Sequence, residues 1–139
     1  MNTRVKNGSE EAVKMCETVI ASMEDAKGID IKNLDVRNLT DITDYMIVAT
    51  GTSDRHVKTI SDRVLEFMTK QGWKPLGLEG DNAREWILVD YVDVVVHIMR
   101  EQTRKHYDLE SLWNETFSEL SEEVVVEVFE NAADAPPVT

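Results

Sequence analysis

Residues 45–57 read YMIVATGTSDRHV: an apolar run, then Gly51-Thr52-Ser53, then the opening of a helical pattern. A strand, a small-residue turn and a helix start form an anion site in principle. The first helical N–H groups are unpaired and the helix dipole favours negative charge. The turn lacks the lysine and second glycine of a phosphate-binding P-loop, and it lacks the spaced glycines of a dinucleotide-binding turn. An ordinary helix cap at Thr52 or Ser53, with Gly51 relieving the turn, accounts for the same residues and is the stronger reading.

Phosphoryl or nucleotidyl transfer would also need carboxylates converging on Mg²⁺. In a nucleotidyltransferase an acidic pair follows the Gly-Ser helix start on the next strand. Here the nearby acids, Asp54 and Asp62, lie on the helix itself, and the pairs Glu79/Asp81 and Asp108/Glu110 fall in a glycine loop and in the closing helix. Asp90 and Asp93 flank a turn, where such residues usually shape the backbone. His56, His97 and His106 lack zinc-ligand spacing. Cys16, the single cysteine, has no disulfide partner and suits helix packing better than a nucleophilic dyad. No serine stands in a nucleophile elbow. The expectation is a protein that is not an enzyme and needs no metal or cofactor.

The elements that would position these residues follow from periodicity. Ser9 is the candidate N-cap of a predicted helix with acidic Glu10 and Glu11, apolar Val13, Cys16, Ile20 and Met23, and a stop at Gly28. Residues 31–36 and 45–49 predict strands, the second central because both its faces are apolar. From Ser53, the spacing of Val57, Ile60, Val64, Phe67 and Met68 predicts a helix that ends near Gly72 and Pro75. A short strand is expected over 74–78. Two runs, 85–89 and 93–99, are too close for anything but an antiparallel hairpin. A short closing helix is expected, in which Leu109, Leu112 and Trp113 can pack back on the sheet. The class is α+β, a mixed sheet with helices packed on it.

With 139 residues the chain fits one core and buries roughly two thirds of its unfolded surface. The expected domain spans 1–113, and 114–139 is expected to be an acidic, partly mobile C-terminal tail. Net charge is −12, of which −7 falls in that tail, which has no Lys or Arg. Such a surface disfavours nucleic acid as the main contact and disfavours anionic lipid, while it attracts basic protein. No run reaches the eighteen or more apolar residues of a membrane span, and no leader is legible, so a cytoplasmic location is expected.

Across the hairpin, Trp86 and Leu88 point opposite to Ile87 and Val89, and Val95, His97 and Met99 opposite to Val94, Val96 and Ile98. Both faces are largely apolar. The two long helices cover one; the other is either a partner surface or is covered by the closing helix or a second copy of the chain.

The segments ITDYMIVATGTSDRHV, PLGLEG and EWILVDYVDVVVHIMREQTRKHYDLESLW closely resemble, in order and spacing, the ribosomal silencing factor family, also called Iojap-related or RsfS-type. The resemblance covers about residues 9–113. Val92 departs from it, standing where the family commonly has Gly, and the acidic tail exceeds the compact family core. The resemblance implies a nucleotidyltransferase-like fold without an active site. It further implies docking on the large ribosomal subunit through its protein number fourteen, which blocks joining of the small subunit and represses translation under nutrient limitation, and it implies homodimers. By position, the contact surface includes Trp86, Leu88, His97 and Met99, with Leu78 and Arg100 near its margin. Trp86 is the expected anchor; its truncation should weaken binding by about 2 kcal/mol or more and leave the fold intact. A diverged nucleotidyltransferase with residual nucleotide binding, or a homodimeric module with another partner, are the alternatives.

Overall fold

A computed structural model describes residues 10–80 and 85–107. Helix α1 (Glu10–Asp25) is followed by strands β1 (Ile29–Asp35) and β2 (Tyr45–Gly51), helix α2 (Asp54–Lys70), strands β3 (Gly77–Glu79), β4 (Trp86–Asp90) and β5 (Val94–Arg100), and helix α3 (Glu101–Tyr107). The strands form one mixed sheet in the order β1-β2-β5-β4-β3. β2 and β5 run parallel and every other pairing is antiparallel. The expected α+β class and the hairpin are both present, and β2 lies in the sheet interior.

α1 and α2 lie on one face. Met15, Cys16, Val19 and Met23 from α1, and Val57, Ile60, Val64 and Met68 from α2, close over Ile47, Ala49, Ile87, Val89, Val94, Val96 and Ile98. Fully burying each aliphatic side chain contributes about 1.5–3 kcal/mol, so this cluster dominates stability. The α1 stripe is shifted from the expected one. Val13 is 43% exposed, while Ala12, Met15 and Val19 face inward with Cys16 and Met23. The end of α1 also differs: Lys27, not Gly28, adopts the left-handed conformation (φ 62°), and the Gly28 N–H closes back on the Met23 carbonyl at 2.7 Å. At the end of α2, Gly72 does take that position, with φ 92°.

The second face carries a smaller cluster of Val36, Met46, Val48, Trp86, Leu88, Val95 and Met99, against which Leu34, Leu39, Ile42 and Tyr107 pack. Leu39 and Ile42 come from the connector between β1 and β2, which does more than join strands. It is folded by bonds from Leu39 N–H and Thr40 N–H to the Val36 carbonyl, and it is tied to the hairpin turn where Asp44 and Tyr45 N–H donate to the Asp93 carbonyl. β3 is shorter than the expected 74–78 and shifted to Gly77–Glu79. The closing helix ends at Tyr107 among the described residues; Ser9, Asp81, Asp108, Glu110, Leu109, Leu112, Trp113 and the acidic tail lie outside them.

Candidate partner-binding surface

The junction at Gly51-Thr52-Ser53 is a cap. Ser53 has extended backbone angles, and its hydroxyl accepts from His56 N–H at 3.1 Å. Thr52 N–H donates to His56 Nδ1 at 2.9 Å, so Nε2 of the neutral ring carries the proton and donates to the Ala26 carbonyl, also at 2.9 Å. His56 thus ties the turn to the end of α1. Gly51 is required for another reason than relieving the turn, since its φ is not left-handed. A Cβ there would stand 2.7 Å from Val57 Cγ2 and 2.9 Å from Val57 N, so glycine lets α2 start hard against the strand.

The acids near this turn are engaged by bases. Asp54 faces Arg100 at 3.3 Å and Asp62 faces Lys58 at 2.8 Å. Asp90 shapes the hairpin turn, its Oδ1 accepting from Val92 N–H at 2.7 Å. Among the described residues no three His, Cys, Asp or Glu side chains are grouped for a metal ion. Burial pushes the Cys16 thiol up to about 12, which keeps it protonated in its helix contact.

Of the six residues expected at a partner surface, the fold gathers four. Trp86 pairs with Met99 and Leu88 with His97 across β4 and β5, all on the second face. Trp86 Nε1–H donates to His97 Nδ1 at 2.9 Å, and the Tyr107 ring lies on the indole at a centroid distance of 4.5 Å, tilted 54°. Trp86, His97 and Met99 are 0% exposed and Leu88 is 7% exposed. Burial pushes the His97 imidazole down to about 3, so it is neutral and acts as an acceptor for the indole. Of the two readings left open for this face, partner surface or covered core, the burial fits the covered one, and these four side chains are internal while α3 is in place. That burial argues against the expectation that truncating Trp86 leaves the fold intact.

Leu78 and Arg100 stand apart from the four. Leu78 pairs with Val89, which belongs to the helix-covered face, and is 38% exposed on the edge strand β3. Arg100 pairs with Gly51 at the far end of β5 and turns to Asp54 at the start of α2. Two exposed apolar residues escaped the sequence reading: Leu76, 74% exposed, and Val92, 48% exposed. Both adjoin Asp90, since Leu76 N–H donates to its carbonyl at 2.7 Å and Val92 N–H to its carboxylate. They form an apolar lip at the hairpin-turn end of the sheet. The available signal was a lone large apolar residue at a turn position, Leu76 between Pro75 and Gly77 and Val92 in the hairpin turn.

Comparison with known proteins matches residues 9–137 to the family described as ribosomal silencing factor during starvation. The chain is 40% identical over 99 residues to the ribosomal silencing factor RsfS of Haemophilus influenzae, covering 71% of this chain and 97% of that one. To the protein of the same name from Chromobacterium violaceum it is 43% identical over 103 residues, covering 74% and 84%. A crystal structure of a Chromobacterium violaceum protein superposes with a TM-score of 0.72 at 42% identity, covering 73% of this chain and 85% of that one. A Bacillus halodurans structure gives 0.67 at 27% identity, over 73% and 94%. With a family match over nearly its whole length and these identities, the chain belongs to the ribosomal silencing factor family.

Proposed function

We propose that this chain represses translation when nutrients are short by binding the large ribosomal subunit through its protein number fourteen and so denying the small subunit its place. Family membership carries the reading, because relatives at 40% and 43% identity are named ribosomal silencing factors. The charge supports it: at −12 the chain suits a basic protein patch far better than ribosomal RNA. No chemistry is needed for a steric block, and the site of action is the cytoplasm. The acidic segment 114–139 adds to the attraction toward basic surfaces.

The contact begins at the lip of Leu76, Leu78 and Val92, with Arg100 further along the sheet, while Trp86, Leu88, His97 and Met99 hold the ribbon's shape from within. Sedimentation of the purified chain with large subunits, small subunits and joined ribosomes tests this, alongside isolated protein fourteen. The chain should travel with large subunits and with protein fourteen, and Leu78→Asp combined with Val92→Asp should weaken both at least tenfold. Undiminished binding by that variant would place the contact elsewhere.

A homodimer is the second reading, favoured by one observation: β3 is an edge strand that carries exposed Leu78, with exposed Leu76 just before it. Mass measured on dilution, with and without large subunits, separates a dimer that competes for the lip from one that does not.

A further inference from the structure

β2 and β5 are parallel neighbours, and the helices that follow them leave to opposite faces. α2 packs into the cluster with α1, while Tyr107 of α3 packs on the second cluster. Such a divergence opens a crevice beyond the carboxyl ends of the two strands, where open sheets with parallel strands take their ligands. A cavity of about 590 Å³ lies there, bounded by the ends of β2 and β5, the start of β1 and the first turns of α3. That volume falls within the roughly 300–1,000 Å³ of small-molecule sites. β5 separates it from the Leu76 and Val92 lip by its full length, about 20 Å at 3.3 Å per residue.

Arg100, Arg104 and Lys105 all line this cavity, against the carboxylates of Asp30 and Glu101. With Asp54, which pairs with Arg100, three cations face three carboxylates, so on a chain with net charge −12 this end of the sheet is locally balanced rather than acidic. Arg104 is fixed: Nη1 donates to the Asp30 carbonyl at 2.7 Å and to Thr50 Oγ1 at 2.9 Å, and its side chain is 8% exposed. The strand irregularity at Asp30, with φ 51°, presents that carbonyl. Arg100 and Lys105 are movable. The Lys105 pair with Glu101 (3.6 Å) is solvent-exposed and contributes little, and the Arg100 pair with Asp54 (3.3 Å) is half-buried. A phosphate group can replace those carboxylates with stronger charge-assisted bonds. The Thr52 and His56 amides of the neighbouring turn are not the anchor, because they already donate to His56 Nδ1 and Ser53 Oγ.

We propose that this cavity binds a phosphate-bearing small molecule of mononucleotide size, its phosphate held by Arg100, Arg104 and Lys105 and its organic part lying along Ile29. A phosphate ion alone would leave most of the space unfilled. No bond is made or broken in the ligand, and Arg100 is the one residue this cavity shares with the proposed large-subunit contact.

Calorimetric titration of the full chain with AMP, ATP and inorganic phosphate at physiological ionic strength tests it, with amide shifts followed by NMR. AMP or ATP should bind saturably, shifting the amides of Thr50, Gly51 and Thr52, and inorganic phosphate should bind at least tenfold more weakly. Arg100→Glu, at a half-buried position at the end of β5, and Lys105→Glu, at an exposed one, should each weaken nucleotide binding at least tenfold. Lys70→Glu, the same charge change at the far end of α2, should leave it unchanged. The proposal is overturned by absent saturable binding of both nucleotides, by equal weakening in Lys70→Glu, or by inorganic phosphate binding as tightly as AMP.

Discussion

Trp86 and His97 share a hydrogen bond of 2.9 Å between indole Nε1–H and imidazole Nδ1, on adjacent strands and with both side chains fully buried. The bond satisfies a buried indole donor and fixes the imidazole tautomer. Protonating His97 would set two donors against each other in a dry cluster.

That arrangement fixes a pH dependence. The folded imidazole titrates near 3 and the unfolded one near 6.5, so the unfolded chain binds more protons between those values. The contribution is fully present above pH 6.5 and is lost as pH falls toward 3, at up to about 1.4 kcal/mol per pH unit. Urea unfolding at pH 5.0, about 5.75 and 6.5 should show this slope, and His97→Phe should flatten it.

Trp86→Ala should destabilise the fold by about 3–5 kcal/mol, because it empties a filled site and strips His97 of its donor. Trp86→Phe keeps most of the volume and should cost less. Thermal unfolding of the two variants measures both effects, so any loss of ribosome binding by Trp86→Ala must be read against its folded fraction.

Val92 has φ 72°, and Asp93 N–H bonds the Tyr91 carbonyl at 2.8 Å across it, the hydrogen-bond pattern of a strained three-residue turn. A β-branched residue held there costs about 1–3 kcal/mol. Val92→Gly should therefore raise stability by about 1 kcal/mol after glycine's own entropic cost, read as a higher urea midpoint. It should also weaken large-subunit binding if the lip is the contact.

Gly80→Ala should be strongly destabilising. Gly80 has φ 83°, and a Cβ there would stand 2.0 Å from the Trp86 carbonyl oxygen, which is backbone and cannot swing aside. Amide exchange should show β3 released from β4, with protection of Leu88 and Asp90 lost before that of β2.

The hairpin was legible because its two runs are close in sequence and alternate with period two, which fixed the sides of Trp86, Leu88, His97 and Met99 without any tertiary knowledge. The insertion of β5 between β2 and β4 was not, since parallel pairing with a strand some fifty residues earlier leaves no local mark. Val13 was misplaced because a helical stripe read from Val13, Cys16 and Ile20 lies only one position away from the true one through Ala12, Met15, Cys16 and Val19. The closure of the second face depends on Leu39, Ile42 and Tyr107 folding back, and polar connectors such as RNLTDITD give no sign of that. The resemblance puts Leu78 and Arg100 near the margin of the Trp86 surface, and strand register, which local sequence does not show, sets Leu78 opposite Val89 and Arg100 opposite Gly51.

The steric block is tested most directly by light scattering as small subunits are added to large subunits pre-mixed with a stoichiometric amount of this chain. Joining should fall at least tenfold, and isolated small subunits pre-mixed with the chain should show no defect of their own. Large subunits that carry the bound chain and still join at the normal rate and extent would contradict it.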